Sequence, residues 1–302
     1  MPHAFRLICA SVAAIVISSL TGCAASPGNE TTAPPTAFPS ASAAEPAFAD
    51  LEEEFDARLG VYALDTGTGA TVEYRSDERF AYASTIKVFG AAVMLDQTTD
   101  AELDTLVRYD PSDLLEYAPI TEQHVDTGMT LRELADASLR YSDNTAAILI
   151  YEQIGGPAAV GTALKSWGDD VTSTDRIEPD LNEATPGDLR DTSTPETLAT
   201  NLHSLLLGDA LQPGDRQLLT DWLVGNTTGD NLIRAGVPAD WTVGDKTGAA
   251  GYGTRNDIAV IWPPDGEPIV LAVLSSRSEP DAEYDDALIA EATRLAVDAL
   301  AR

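Results

Sequence analysis

The patterns that predict β-strands lie near the two ends of this 302-residue chain, and helical patterns fill the long stretch between them. Residues 61–65 and 71–75 flank a Thr-Gly-Thr-Gly turn and predict a hairpin. Strand-like runs return at residues 241–246, 255–262 and 269–275. Because hairpin-joined neighbours form antiparallel sheets, we predict an α/β (α+β) fold. It has one antiparallel five-stranded sheet flanked by helices, with an inserted all-helical lobe.

Helices are predicted at both ends of the folded part. Four apolar residues recur at spacings of three and four ahead of a glycine stop: Phe48, Leu51, Phe55, Leu59 and Gly60. Residues 286–301 form an Ala- and Leu-rich amphipathic pattern. We therefore predict a domain over residues 48–302, with an α/β lobe at about 48–80 and 224–302 and a helical lobe at about 81–223. A site is expected in the cleft between the lobes.

The N-terminus reads as an export signal over residues 1–22, with Arg6 ahead of an uncharged apolar stretch at residues 7–20. Its end, Leu-Thr-Gly-Cys, resembles a bacterial lipobox in which Cys23 is lipidated; the alternative is a plain cleavable signal with an incidental cysteine. Residues 23–47 are rich in Ala, Pro, Ser and Thr and predict a flexible tether. We expect an exported protein, held by its lipid at the outer face of the cell membrane, with a released form in addition.

Composition argues against several classes of function. The net charge of −31 disfavours binding to nucleic acid or to anionic lipid. Cys9 and Cys23 are the only cysteines, so the folded part has no disulfide and no thiolate metal site. The three histidines form neither an H-x-H nor an H-E-x-x-H pattern. We therefore expect no metal site, no Ser-His-Asp triad and no cofactor.

Four short motifs carry the candidate chemistry: Ser84-Thr85-Ile86-Lys87, Ser142-Asp143-Asn144, Glu178-Pro179-Asp180-Leu181-Asn182 and Lys246-Thr247-Gly248. Ser84 and Lys87 are three residues apart, so a helix that begins at Ser84 puts both on one face. A serine hydroxyl needs a base to become a good nucleophile. Lys87 can be that base only if burial or a nearby charge, such as that of Lys246, lowers its pKa.

The other motifs have both a catalytic and an ordinary structural interpretation. The second motif precedes a helical run, and its residue types also make good helix caps. Glu178 and Asn182 could together hold and activate one water molecule, although an isolated glutamate in a loop is usually a plain surface carboxylate. The Lys-Thr-Gly motif lies on a predicted strand and suits a flat anionic ligand along the strand edge.

Together and in this order, the four motifs resemble the set that marks class A serine β-lactamases. Residues 175–184 and 190–192 resemble the Ω-loop of that family, and the resemblance extends over about residues 50–302. It implies that Ser84 attacks the ring of a penicillin or cephalosporin. Water activated by Glu178 and positioned by Asn182 would then hydrolyse the acyl-enzyme, which confers resistance. A monomer is expected.

The resemblance also implies roles for individual residues. Ser142 would relay a proton to the leaving nitrogen, and Asn144 would bind the side-chain amide of the substrate. The backbone N–H groups of Ser84 and Ala249 would form the oxyanion hole, and Tyr117 would line the mouth of the cleft, unless it is a core aromatic residue.

Further implied roles concern the substrate carboxylate and the Ω-loop. The carboxylate would be bound by Lys246, Thr247, Gly248 and Arg255. Arg255 could instead be an ordinary surface arginine of a strand. Arg176 and Asp191 would form an ion pair that closes the loop, and a cis peptide is expected before Pro179.

Two alternatives remain at this point. A related DD-peptidase would use Ser84, Lys87, Ser142 and Lys246 but would have no use for Glu178. A lipoprotein that only traps or senses β-lactams is the non-enzymatic alternative. Whether Lys87 or Glu178, acting through water, takes the first proton from Ser84 also stays open. Three residues depart from the usual family pattern and bear on the range of substrates: Ala250, Leu189 and Asp286.

Overall fold

The computed structural model describes residues 45–301. The predicted export signal, the lipidation site at Cys23 and most of the predicted tether lie outside these residues. The first helix begins at Glu45 and so includes the last three residues that the sequence indicated as tether. Between residues 45 and 301, no helix is both long enough and apolar enough to cross a membrane.

Strands and helices follow the order expected from the sequence. The strands are β1 (Arg58–Asp65), β2 (Thr71–Tyr74), β3 (Phe80–Ala81), β4 (Leu106–Val107), β5 (Met129–Thr130), β6 (Thr192–Ser193), β7 (Thr242–Ala250), β8 (Thr254–Trp262) and β9 (Ile269–Ser276). The helices are α1 (Glu45–Phe55), α2 (Lys87–Gln97), α3 (Asp100–Leu103), α4 (Leu131–Arg140), α5 (Asn144–Ile154), α6 (Pro157–Ser166), α7 (Pro195–Leu206), α8 (Pro213–Val224), α9 (Ile233–Gly236) and α10 (Asp286–Leu300).

The predicted five-stranded antiparallel sheet is confirmed, with the order β2-β1-β9-β8-β7. Strands from the two ends of the chain therefore meet at its centre, where Val61 of β1 lies opposite Val273 of β9. Between β3 and β7 the chain consists of helices and loops, with two short ribbons, β4 with β5 and β3 with β6. Strand β7 is an edge strand, and one of its edges is free of sheet partners.

One boundary predicted from the sequence is wrong. Helix α1 ends at Phe55, and Leu59 and Gly60 belong to β1. Leu59 is apolar because it is a buried residue of the strand, and it lies four positions after Phe55, which is also a helical spacing. Gly60 does not stop a helix; a Cβ atom there would lie 2.5 Å from the Phe80 ring, so the glycine allows β1 to pack against that ring.

Both faces of the sheet are buried, because successive side chains of a strand point to opposite faces. In β9, Val270, Ala272 and Leu274 pack with the helical lobe. Their neighbours in the same strand pack with α1 and α10 on the other face. Helix α2 lies inside the helical lobe, and every residue from Lys87 to Leu95 is buried. This packing fixes the start of α2 rigidly against the sheet.

Candidate active site

Ser84 lies in a short 3₁₀ helix, Ala83–Ile86, that runs directly into α2. This turn packs against β7 at Gly248. A Cβ atom on Gly248 would approach the Tyr82 carbonyl oxygen to 2.9 Å and the Ser84 backbone nitrogen to 3.2 Å. A residue without a side chain is therefore needed for β7 to lie this close to the nucleophile.

Ser84, Lys87 and Glu178 meet at one carboxylate oxygen. Ser84 Oγ donates a hydrogen bond of 3.1 Å to Glu178 Oε1. Lys87 Nζ lies 3.1 Å from the same oxygen, and both side chains of this ion pair are almost fully buried. Within the described residues, the hydroxyl of Ser84 hydrogen-bonds to Glu178 and not to Lys87. Glu178 is thus in direct contact with Ser84 and with Lys87, the two candidate reactive residues of the first motif.

Lys87 is the centre of a buried hydrogen-bond network. Its Nζ donates to the Ser142 carbonyl oxygen at 2.8 Å and to Asn144 Oδ1 at 2.5 Å. Burial lowers the pKa of Lys87 below the ordinary value for lysine, and the nearby Glu178 carboxylate opposes that shift. The ammonium is desolvated, so it gives up a proton more readily than a lysine in water.

The Ser142-Asp143-Asn144 motif connects α4 to α5 in a tight turn. Ser142 adopts a φ of 58°, which is uncommon for a residue with a side chain. The buried Asp143 caps α5 by accepting from the Ala146 backbone N–H at 2.9 Å. It also accepts from the hydroxyl and the backbone N–H of Thr121. The capping interpretation is therefore confirmed for Asp143, whereas the catalytic interpretation concerns Ser142 and Asn144 and stays a prediction.

Lys246 approaches the same motif from β7. Its Nζ donates to Ser142 Oγ at 3.0 Å. Burial and the positive charge of Lys87 lower the pKa of Lys246 to about 7, although Asp245 and Asp257 oppose the shift. Ser142 Oγ is therefore in contact with a lysine that changes protonation state near neutral pH.

Glu178 and Asn182 lie in the Ω-loop, here residues 175–192. The peptide before Pro179 is cis, as expected. Asn182 Nδ2 donates to Glu178 Oε2 at 2.5 Å. Asn182 Oδ1 is buried and makes no hydrogen bond to any residue from 45 to 301. This oxygen can accept a hydrogen bond from water held beside the Glu178 carboxylate.

The ends of the Ω-loop are joined by the ion pair that the resemblance implied. Arg176 Nε lies 2.5 Å from Asp191 Oδ2, and the Asp191 side chain is only 1% exposed. Asp191 Oδ1 also accepts from the Tyr82 hydroxyl and from the backbone N–H groups of Asp175 and Arg176. The loop that carries Glu178 is thereby attached to the turn that carries Ser84.

Arg255 lies opposite Ala249 in the β7–β8 pair, at the far end of the cleft. Its Nε donates to Asp286 Oδ1 at 2.6 Å, and its guanidinium carbon lies 4.7 Å from the centre of the Tyr284 ring. The Arg255 side chain is 12% exposed. A substrate carboxylate would have to share this guanidinium with Asp286, so the predicted role of Arg255 stays a prediction.

The cleft has a volume of about 400 Å³ and gathers residues from every predicted motif. Its lining includes nine residues singled out from the sequence: Ser84, Tyr117, Ser142, Asn144, Asn182, Thr247, Gly248, Ala249 and Arg255. Lys87, Glu178 and Lys246 lie beneath this surface, each 5% exposed or less. Tyr117 is an exposed residue rather than a core aromatic one.

Sequence reasoning missed two residues of the cleft. Thr228 Oγ1 lies 2.6 Å from Thr247 Oγ1 and so orients that hydroxyl. It sits in a Thr-Thr-Gly loop that carries no recognisable signal. Tyr284 stacks on Arg255 from the segment before α10. Two of the residues that depart from the family pattern differ in their surroundings. Asp286 accepts a hydrogen bond from Arg255, whereas Leu189 of the Ω-loop is exposed.

Comparison with known proteins gives a consistent result. The chain matches the family model of the beta-lactamase enzyme family over residues 43–300. It is 59% identical over 266 residues to a beta-lactamase of Amycolatopsis lactamdurans, with 88% of each chain covered. It is 60% identical over 253 residues to a beta-lactamase of Bacillus licheniformis, covering 84% of this chain and 82% of that one.

Solved structures agree in fold over the same region. A class A beta-lactamase from Clostridium kluyveri is 48% identical, with a TM-score of 0.84, and covers 85% of this chain and 98% of its own. A halotolerant bacterial beta-lactamase is 55% identical, with a TM-score of 0.83, and the match covers 85% of this chain and 99% of that one. Since the match spans nearly all described residues and includes the Ser84-x-x-Lys87 motif, the chain belongs to the class A serine β-lactamases.

Proposed function

We propose that this β-lactamase opens the ring of penicillin- and cephalosporin-type antibiotics in two steps, through an acyl-enzyme on Ser84, and so confers resistance. The observation that carries the proposal is the position of Glu178. Its carboxylate contacts Ser84, Lys87 and Asn182 at the same time. One base is thus within reach of both the nucleophile and a water beside Asn182.

In the acylation step, Ser84 Oγ attacks the lactam carbonyl carbon while its proton moves to Glu178 Oε1. The hydrogen bond of 3.1 Å between these atoms supports direct transfer, with Lys87 stabilising the carboxylate. The C–N bond of the ring then breaks, and the nitrogen takes a proton from Ser142 Oγ. Lys246 Nζ, 3.0 Å from that hydroxyl, resupplies the proton. The proton on Glu178 then returns to Lys246 through Lys87 Nζ, which lies 3.1 Å from Glu178 Oε1 and 3.5 Å from Ser142 Oγ, so the carboxylate is ionised again before water attacks.

In the deacylation step, water attacks the ester carbonyl and gives its proton to Glu178. The buried, unpartnered Oδ1 of Asn182 supports a position for this water beside the carboxylate. Glu178 passes this proton to Ser84 Oγ as the ester C–O bond breaks, so the serine leaves as a hydroxyl and the free enzyme is restored. This step separates a hydrolase from a DD-peptidase or a β-lactam trap.

Turnover of a chromogenic cephalosporin, combined with mass spectrometry of the intact protein, tests the proposal. The unmodified protein should turn over many equivalents. Glu178→Gln keeps the size of the side chain but removes the base of both steps, so it should acylate slowly, with Lys87 as the remaining base. Its deacylation should be slower still, so an adduct on Ser84 accumulates, whereas Ser84→Ala should form none. A persistent stoichiometric adduct on the unmodified protein would instead indicate a trap, and normal turnover by Glu178→Gln would remove the assigned role.

We also propose that the protein is a monomer, exported and anchored by a lipid on Cys23. The sequence Leu-Thr-Gly-Cys after an apolar stretch supports this anchoring. In cells fed an alkyne-labelled fatty acid, the unmodified protein should become labelled and should be found in the membrane fraction. The Cys23→Ser variant should be unlabelled and absent from that fraction. Equal labelling of both would contradict the anchor, and a dimeric mass in light scattering would contradict the monomer.

A further inference from the structure

A second cavity, separate from the catalytic cleft, lies between the Ω-loop and the sheet. Its volume is about 670 Å³, and it shares no lining residue with the cleft. Six arginines line it: Arg58, Arg75, Arg79, Arg176, Arg190 and Arg277. The whole chain has only 18 lysines and arginines against a net charge of −31, so a third of its cationic side chains meet in this arginine cavity.

Four of the six arginines are neutralised by carboxylates. Arg58 and Arg75 share Glu78, and Arg75 also pairs with Glu52. In the Ω-loop wall, Arg176 pairs with Asp191 and Glu183, and Arg190 pairs with Asp188. These ion pairs give a structural reason for four of the six arginines and leave the other two unexplained.

The remaining two arginines have no carboxylate partner among residues 45–301. Arg79 donates to the carbonyl oxygen of Val171 at 2.5 Å and to the hydroxyl of Thr192 at 2.9 Å. Arg277 donates to the carbonyl oxygens of Phe55 and Gly253, at 3.2 and 3.4 Å. A guanidinium has five N–H donors, so each retains free donors and an uncompensated charge.

Arg79 and Arg277 are both neighbours of Arg58, a third residue of the cavity lining. Arg58 lies opposite Ser276 in the β1–β9 pair, and Arg277 follows Ser276 directly. Arg58 in turn donates to the carbonyl oxygen of Arg79 at 3.0 Å. Arg58 thus connects the segment of Arg79 with the segment of Arg277 in the wall of the cavity.

Thr254, one of the residues that line the same cavity, carries an unsatisfied hydroxyl. Thr254 is only 1% exposed, and its Oγ1 makes no hydrogen bond to any described residue. Buried polar atoms of native proteins nearly always have a partner, so an orphaned hydroxyl beside uncompensated arginines points to a ligand. A hydroxyl donor and two planar guanidinium forks match the oxygen atoms of a phosphate or carboxylate.

We propose that the arginine cavity binds a small oxyanion, a phosphate or carboxylate with one or two negative charges. Arg79 and Arg277 supply the charge, and Thr254 supplies a neutral donor. The Asp56 carboxylate also lines the cavity and limits the charge it favours. The strongly negative field of the whole chain does not prevent binding, because salt screens it beyond roughly 8 Å. Because one wall is the Ω-loop, an anion there would also hold that loop against the sheet.

Ser278 offers a matched pair of variants for the test, since it lines the cavity and is exposed. Ser278→Glu adds a carboxylate that competes for the arginines, whereas Ser278→Gln adds similar bulk without charge. Arg277→Gln removes one of the two free cations and keeps a donor for the Phe55 carbonyl. Lys246→Ala removes an anion-binding group of the catalytic cleft and reports on binding at that separate site.

The experiment is calorimetric titration of the full chain with inorganic phosphate and, in a second arm, with succinate, in a buffer that contains neither anion. We expect saturable binding in at least one arm, and the tighter arm identifies the source of the oxyanion. Ser278→Glu and Arg277→Gln should weaken it by about tenfold or more, while Ser278→Gln and Lys246→Ala leave it unchanged.

Three outcomes overturn the proposal. They are the absence of saturable binding in both arms, equal binding by Ser278→Glu and Ser278→Gln, and loss of binding in Lys246→Ala, which would put the anion in the catalytic cleft. If Arg277→Gln fails to fold, the comparison of Ser278→Glu with Ser278→Gln tests the proposal without it. Turnover of a chromogenic cephalosporin by the Ser278 variants verifies that each is folded.

Discussion

Arg176→Ala should remove the attachment of the Ω-loop and so affect both stability and deacylation. The Asp191 side chain is 1% exposed, and its carboxylate would lose the one cationic partner that it has among residues 45–301, at 2.5 Å. Leaving a buried carboxylate without its partner costs about 3–5 kcal/mol. We expect about 3 kcal/mol, the lower end, because the Tyr82 hydroxyl and two backbone N–H groups still donate to Asp191.

For a domain of this size, that loss lowers the midpoint of thermal unfolding by roughly 6–12 °C. Deacylation should slow more than acylation, because Glu178 is two residues from Arg176 and water has to be held beside Glu178 accurately. Calorimetry gives the midpoint, and pre-steady-state kinetics with mass spectrometry of the adduct separates the two chemical steps.

Arg190→Ala is the matched control, because it removes an arginine from the same loop. Arg190 is half exposed and its partner is Asp188, so its ion pair is screened by solvent. We expect no measurable change in the unfolding midpoint and unchanged deacylation. If Arg176→Ala and Arg190→Ala have the same midpoint and the same deacylation rate, the reasoning about the buried carboxylate is refuted.

Three further predictions concern the cleft. Gly248→Ala should lower the acylation rate by at least tenfold, because its Cβ atom would lie 3.2 Å from the Ser84 nitrogen and push β7 away. Asp286→Asn should lower KM for substrates that carry a carboxylate by severalfold, because Arg255 loses a charged partner at 2.6 Å. The KM of such substrates should rise by up to about tenfold from about pH 6 to about pH 9, because Lys246, with its pKa lowered to about 7, is charged at the acid end and neutral at the alkaline end. Steady-state kinetics measures all three.

Each of these has a clear contrary result. Unchanged acylation by Gly248→Ala would mean that β7 can shift without cost. An unchanged KM for Asp286→Asn would mean that Asp286 does not compete with the substrate for Arg255. For the pH profile, bound substrate favours the charged lysine, so the rise should be centred above pH 7. A KM that falls as pH rises would contradict the assignment of Lys246.

The sheet was predictable because its strands follow each other in hairpins and are flanked by turn residues. The meeting of the four motifs in one cleft was predictable because a candidate nucleophile, base and carboxylate-binding lysine need particular residue types. The pairing of Arg255 with Asp286 was not predictable, because the two residues are far apart in sequence and belong to no common periodic pattern. The end of α1 was mispredicted because the apolar Leu59 satisfies both a helical and a strand pattern. The arginine cavity, likewise, forms only when five separate segments come together.

The meeting of β1 with β9 at the centre of the sheet has a consequence for how the chain folds. The residues that pair there are separated by about 200 positions, and closing a loop of that length costs roughly 5 kcal/mol of chain entropy. Proteins dominated by such distant contacts fold slowly. The last strands and α10 must therefore be available before the sheet that supports Ser84 can close. A chain cut after β8 would lack the central strand, and its nucleophile would have no rigid surface to rest on.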